Sequence, residues 1–171
     1  EEMDNEMIKR WNNRVTKQDT VYILGDFSWY NAAKSIEILK QLNGRKRLIK
    51  GNHDRIHSAE FKKCFESIKD YDEIKLDGQK IILCHYSIPF YNSHYYGAIM
   101  LHGHTHNSHE HQVELVIEKK LNQLDMPCHM YNVGAMLPYI DYTPRTLEEI
   151  IKGKEQYVSQ ININMELKRE E

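Results

Sequence analysis

The sequence predicts a layered α/β sandwich that includes a mixed sheet. Three observations carry this prediction. Short β-type runs alternate with stretches of helical periodicity. Midway, two runs are joined by Asp77-Gly78, a dipeptide suited to a two-residue hairpin turn. Four runs end in an Asp, Asn or His just past their last residue, at the edge where open α/β sheets bind ligands.

The elements follow in order. Met3, Met7, Ile8 and Trp11 recur at helical spacing and predict an amphipathic helix over the first dozen residues. Val21 to Leu24 reads as a short buried strand. Ala32 to Leu42 reads as a helix with Ile36, Leu39 and Leu42 inward, stopped by Asn43-Gly44. Arg47 to Lys50 is the next strand and Ser58 to Phe65 a short helix. Ile68 to Leu76 and Lys80 to Cys84 form the hairpin, and Ala98 to Leu101 another strand. Val113, Val116, Ile117, Leu121 and Leu124 predict an inward face for a helix over His109 to Leu124. Met130 to Val133 is a late strand ending at Gly134. Thr146 to Ile151 is a last short helix with Gly153 as its stop, and the tail is polar.

The 171 residues suit one domain with a real core rather than two, so 1–171 is read as a single domain. A net charge of −2 argues against broad electrostatic attraction to nucleic acid or to a membrane surface. No apolar stretch approaches membrane-spanning length. Cys64, Cys84 and Cys128 are widely spaced with no C-x-x-C pair, which argues against a zinc ribbon and for reduced thiols in the cytoplasm. The ten histidines are the outlier, and five of them fall between His102 and His111.

The strand ends concentrate the chemistry. Val21-Tyr22-Ile23-Leu24 runs into Gly25-Asp26, and Leu48-Ile49-Lys50 into Gly51-Asn52-His53-Asp54. Ile81-Ile82-Leu83-Cys84 runs into His85, and Ala98-Ile99-Met100-Leu101 into His102-Gly103-His104-Thr105-His106. Two divalent metals can hold a hydroxide between them and clamp a phosphoryl group. Such a site needs a carboxylate bridge, for which Asp26 is the natural candidate. Asn52, His85 and His104 can complete one metal. His106, two residues past His104 on the same side of an extended segment, can reach the other. Gly25, Gly51 and Gly103 precede these ligands, where glycine allows a sharp turn and a close approach of metal to backbone.

The order Gly-Asp, Gly-Asn-His-Asp, lone His, Gly-His-x-His resembles the calcineurin-like metallophosphoesterases, especially small bacterial and phage members. The resemblance runs from the first helix to Asn132-Val133-Gly134 and the Arg145 to Ile151 segment. It implies a four-layer α/β/β/α sandwich and a dinuclear centre of manganese, iron, zinc or nickel. It also implies that Asp26 bridges, that Asn52, His85 and His104 complete one metal, and that His106 serves the second. His53 would act near the leaving group and Asp54 would orient its imidazole. The family opens with a strand ending in Asp-x-His, which supplies further ligands to the second metal. Nothing upstream of Asp26 fits, the chain begins Glu1-Glu2 without Met, and it is expected to be a fragment with that strand upstream.

Against these roles, Asp26 alone would pass for a strand-end cap, Asn52 for a turn residue and His85 for a core histidine. Alternating histidines such as His104 and His106 have little structural use. His102 reads as core or as support for the ligands. His109 and His111 read as a solvated first helical turn, while His57, His94 and His129 are unassigned. Arg55 is a candidate for substrate phosphate or for a surface salt bridge. The loop with Tyr91, Asn92, His94, Tyr95 and Tyr96 is read as lining the substrate cleft or covering the core.

The reading is therefore a metal-dependent phosphoesterase acting on a small phosphorylated monoester or diester, by attack of metal-bound hydroxide. No membrane partner is expected, nucleic acid is not indicated, and oligomeric state is left open. The alternative is a non-catalytic interaction scaffold on the same fold with a degenerate metal site. A structural single-zinc protein is disfavoured, because the ligands are oxygen-rich and lack cysteine.

Overall fold

The chain crosses from one sheet to a second at Asp70, and that crossing builds the sandwich. A computed structural model describes residues 2–54, 56 and 58–161. Its elements are α1 (Glu2–Arg14), β1 (Thr20–Ile23), α2 (Ala32–Gln41), β2 (Arg45–Ile49), α3 (Ala59–Lys62), β3 (Ser67–Lys69), β4 (Tyr71–Leu76), β5 (Gln79–Cys84), β6 (Ile99–His102), α4 (His109–Gln123), β7 (Met130–Asn132) and α5 (Leu147–Gln160). The first sheet, β1-β2-β3, is wholly parallel. The second, β4-β5-β6-β7, is mixed, antiparallel only at the β4–β5 hairpin.

Period-two alternation sorts the strand residues into layers. Leu24 and Ile49 of the first sheet meet Ile81 and Leu83 of the second, forming the core between the sheets. Leu48 points the other way, into a layer of Leu39, Leu42, Phe61 and Phe65 that Ile8 and Trp11 of α1 also join. Ile82, Met100 and Met130 face outward from the second sheet and pack with Tyr91, Leu121 and Cys128. The order of layers is helices, sheet, sheet, helix, as the family resemblance implies. Ile150 of α5 packs with Leu137 and Ile140 against Leu101, Tyr131 and Val133. The three cysteines are free. No helix among the described residues is long and apolar enough to cross a membrane.

Four sequence expectations change. The run Ile68–Leu76 is two strands: Ser67–Lys69 pairs with β2, and Tyr71–Leu76 pairs with β5. No glycine or proline marks a break between Lys69 and Tyr71, so the sequence does not reveal the change of sheet. Gly153 does not stop the last helix, which runs on to Gln160. Tyr139 packs where a side chain at Gly153 would go: a Cβ there would lie 2.6 Å from Tyr139 Cβ. In α4 the buried residues are His111, Glu114, Leu115 and Leu121, while Ile117 is 37% and Leu124 55% exposed. A short 3-10 turn over His94–Tyr96, not expected from the sequence, interrupts the aromatic loop. Within that loop Tyr91 is buried in the core, whereas Phe90, Tyr95 and Tyr96 are exposed.

The outer strand β7 is an edge, and side chains occupy its outward backbone groups. Met130 N–H donates to Glu118 Oε1 at 3.2 Å, and its carbonyl accepts from Lys154 Nζ at 2.5 Å. Tyr139 Oη donates to the Asn132 carbonyl at 2.6 Å. Lys154 is also paired with Glu118. An edge occupied this way resists pairing with another chain's strand. At the start of α5, Thr146 and Glu149 form a capping box. Arg14 of α1 donates to both Glu149 oxygens, at 2.5 and 2.7 Å, tying the first helix to the last.

Gly153 gives the test of this packing. Alanine would gain up to about 1 kcal/mol in helix propensity. Overpacking against Tyr139 costs about 1–3 kcal/mol. We expect Gly153→Ala to lower the melting temperature by a few degrees. A higher melting temperature would show that Tyr139 yields freely.

Candidate metal centre

Past β1 the chain turns through Gly25 (φ 92°) and Asp26 (φ 52°), both left-handed. For a residue with a Cβ that conformation is costly, and Asp is among the few types that tolerate it. The fold holds it in place with a reciprocal pair of carboxylates. Asp54 Oδ2 accepts from the backbone N–H of Asp26 and of Gly51, both at 2.8 Å, and Oδ1 accepts from Phe27 N–H at 2.9 Å. Asp26 Oδ1 in return accepts from His53 N–H at 2.8 Å. The loops after β1 and β2 are thereby clasped together.

Two glycines make the clasp sterically possible. A Cβ on Gly25 would strike the His85 ring and lie 2.7 Å from the Gly51 nitrogen. A Cβ on Gly51 would strike the Asp26 carboxylate and lie 2.6 Å from the Asp26 nitrogen. The room these glycines leave is filled by a histidine ring and a carboxylate.

His85, at the end of β5, is buried. Its Nδ1–H donates to the Leu24 carbonyl at 2.8 Å. That carbonyl can only accept, so Nδ1 carries the hydrogen and Nε2 presents a lone pair. Nε2 lies 3.0 Å from Asn52 Oδ1 and 3.3 Å from Asp26 Oδ2. His104 Nδ1 lies 3.1 Å from the same Asn52 oxygen. Ligand atoms of Asp26, His85 and His104 lie within 4.8 Å of one another. Electron-pair donors crowded together repel unless a cation lies among them. A carboxylate, an amide oxygen and two imidazoles suit a first-row divalent metal. The sequence-predicted set Asp26, Asn52, His85 and His104 thus converges.

The remaining predicted residues fall differently. His104 (φ 65°) and His106 (φ 50°) are both left-handed, so the segment is a turn and not extended. His106 is exposed and lies outside the converging group. The His53 ring packs on Trp29, with centroids 4.2 Å apart and planes tilted by 43°. Among the described residues Asp54 makes no hydrogen bond to that ring; its oxygens accept from backbone amides instead. Arg55 and His57 lie outside the described residues.

Behind the His104–His106 turn is a polar cluster that the sequence reading missed. Glu114 Oε2 accepts from Thr105 Oγ1 at 2.9 Å and from His111 Nδ1 at 3.2 Å. Asn132 Nδ2 donates to Thr105 Oγ1 and to the His106 carbonyl, both at 3.0 Å. Burial alone would raise the Glu114 pKa, but His111, His102, Ser87 and Thr105 together hold it below the usual carboxylate range. His102 is buried beside it, and desolvation pushes its pKa down to about 4 despite the Glu114 charge. His111, expected in a solvated turn, is only 2% exposed and stacks with Tyr157 at 6.1 Å. His109 is exposed, as expected. The available signal was Glu114 three residues after His111, which places both on one helical face.

An α/β sandwich with such a donor set at its strand ends is a metal-site architecture, and the comparisons give its family. Residues 4–147 match the calcineurin-like phosphoesterase superfamily domain, and the chain belongs to that family. It is 31% identical over 154 residues to the uncharacterized protein MJ1445 of Methanocaldococcus jannaschii, covering 89% of this chain and 75% of that one. It is 32% identical over 133 residues to the Gene 66 protein of Mycobacterium phage D29, covering 61% of this chain and 66% of the phage protein. Among solved structures, a protein of unknown function, AQ665, from Aquifex aeolicus aligns with a TM-score of 0.64 at 27% identity. That alignment covers 87% of this chain and 83% of the other. Membership in this family points to a metal-dependent hydrolase.

The clasp predicts the behaviour of Asp54, which touches none of the converging donors. Asp54→Ala leaves three amides without their acceptor. We expect a loss of about 2–4 kcal/mol in stability and of roughly 10–100-fold in Mn²⁺ affinity, read by denaturant unfolding and calorimetric titration. Unaltered Mn²⁺ affinity would show that the clasp does not set the donor geometry.

Proposed function

We propose that the protein hydrolyses small phosphate monoesters or diesters in a metal-dependent reaction. The observation that supports this most directly is the convergence of Asp26 Oδ2, Asn52 Oδ1, His85 Nε2 and His104 Nδ1 at adjoining strand ends. These residues would hold one divalent cation. Asp26 and His106 would contribute to a second, with manganese, iron, zinc and nickel all suited to the donors. Bound there, such cations lower the pKa of water and offset the charge on the phosphoryl oxygens.

The chain's own residues divide the remaining work. Leu24 fixes the His85 tautomer, so that its lone pair faces the site whenever the ring is neutral. Asp54 holds the Asp26 and Asn52 loops in register through backbone amides. His53 follows the ligand Asn52 and stands beside, not within, the donor set. Its ring, which packs on Trp29, would give a proton to the leaving oxygen as the P–O bond breaks.

Hydrolysis of bis(p-nitrophenyl) phosphate with added Mn²⁺ tests the activity. We expect turnover that EDTA abolishes and that Asn52→Ala lowers by at least tenfold. Turnover untouched by EDTA would remove the metal from the reading. The proton donor is tested separately. A general acid matters most for a basic leaving group, so we expect His53→Ala to lose roughly 10²–10⁴-fold on alkyl esters. It should lose far less on nitrophenyl esters and should keep its metal content. Equal losses on both ester types would show that His53 is not the acid.

A further inference from the structure

Resting on the phosphoesterase reading, we propose that the substrate is a small nucleotide ester whose base stacks on Trp29. Trp29 is 74% exposed, a large apolar surface left in water. It is not an isolated surface residue: its ring lies against His53, the imidazole next to the donor set. Tyr86, 47% exposed, lies against two imidazoles of the donor set. Its ring centroid is 5.0 Å from that of His85 and 4.8 Å from that of His104. Two partly exposed aromatic rings therefore each touch imidazoles of the site.

The loop that carries Trp29 is fixed on both sides of it. Tyr30 N–H donates to Ser28 Oγ at 3.0 Å, and Ser35 Oγ of α2 bonds Ser28 Oγ at 3.1 Å. Tyr30 Oη donates to Asp4 of α1 at 3.0 Å. Asn31 caps α2 by accepting from Lys34 N–H at 3.0 Å. An exposed ring on an anchored loop is a preorganised platform, since little loop entropy is lost on binding. Stacking of a base on such a ring is worth roughly 5- to 150-fold in binding.

The offset of Trp29 favours a nucleotide over an aryl phosphate. Trp29 packs on His53 rather than on the converging donors, so a ring stacked on it lies one side chain out from the phosphorus. A sugar between base and phosphate spans that offset, whereas a phenol bonded directly to phosphorus does not. The net charge of −2 favours a mononucleotide or dinucleotide over a long polyanion.

The experiment compares thymidine 5′-(p-nitrophenyl) phosphate with methyl p-nitrophenyl phosphate, which share a leaving group, on the Mn²⁺-loaded protein. We expect kcat/KM to favour the nucleoside probe by at least about tenfold. Trp29→Ala should cost that probe about tenfold more than the methyl probe, and Trp29→Tyr should restore most of the difference. Equal rates on the two probes, or equal losses in Trp29→Ala, would overturn the proposal. Thymidine 5′-monophosphate should also quench tryptophan fluorescence in the wild type and not in Trp29→Phe, which retains Trp11. Quenching without hydrolysis of either probe would support the base platform while refuting the esterase reading. Absence of quenching, or equal quenching by O-phosphotyrosine, would overturn the nucleotide assignment itself.

Discussion

The clasp between Asp26 and Asp54 is the interaction on which the site depends. Two like charges placed in adjoining loops would ordinarily repel. Here each carboxylate is satisfied by backbone N–H groups, three for Asp54 and one for Asp26 Oδ1. Those four amides stabilise the anions and at the same time fix the loops. Asp26 Oδ2 is left facing His85, so the two oxygens of one carboxylate have separate work. The sheet makes this possible: β1 and β2 are paired in parallel from Thr20↔Arg45 to Ile23↔Leu48, so both strands end at the same edge.

The second sheet builds its half of the site by other means. Gly103 N–H donates to the His85 carbonyl at 3.0 Å, joining the ends of β5 and β6. Beyond that point the backbone turns through two left-handed residues, with Thr105 N–H donating to the Gly103 carbonyl at 2.8 Å. The buried Glu114–Thr105–Asn132 cluster holds the turn from behind, with Asn132 gripping the His106 carbonyl. Buried ionised groups are costly unless paired. Glu114 is held by His111 and Thr105, and among the described residues its Oε1 and His111 Nε2 have no hydrogen-bond partner. One half of the site is thus set by backbone amides on carboxylates, and the other by a polar cluster behind a turn.

Much of this was legible in the sequence, and the misses have physical reasons. Strand-end positions pointed to Asp26, Asn52, His85 and His104, because polar residues gathered where paired strands end follow directly from where apolar runs stop. The buried face of α4 was not legible, because it includes His111 and Glu114, which a hydrophobic pattern scores as solvated. Gly153 was misread because a glycine that ends a helix and one that admits a neighbouring ring look alike in one dimension. The true partners of Asp54 were hidden for a further reason. Backbone amides carry no side-chain signature, and two of them lie 27 and 28 residues away. Trp29 gave no signal either, since its meaning comes from the ring it touches.

Gly51-Asn52-His53-Asp54 shows why a short motif can be so informative. Gly51 is required by space, since any Cβ would meet the Asp26 carboxylate. Asn52 is required by its oxygen, which faces both His85 and His104. His53 contributes twice, its N–H to Asp26 and its ring to Trp29. Asp54 is required by charge and reach, because only a carboxylate offers two oxygens to three amides without a competing donor of its own. Four adjacent residues therefore answer to four different constraints: volume, an amide oxygen facing two imidazoles, a ring contact with Trp29 and backbone anchoring. No single substitution can exchange one of these for another, and that independence links the order of four residue types so closely to the chemistry they support.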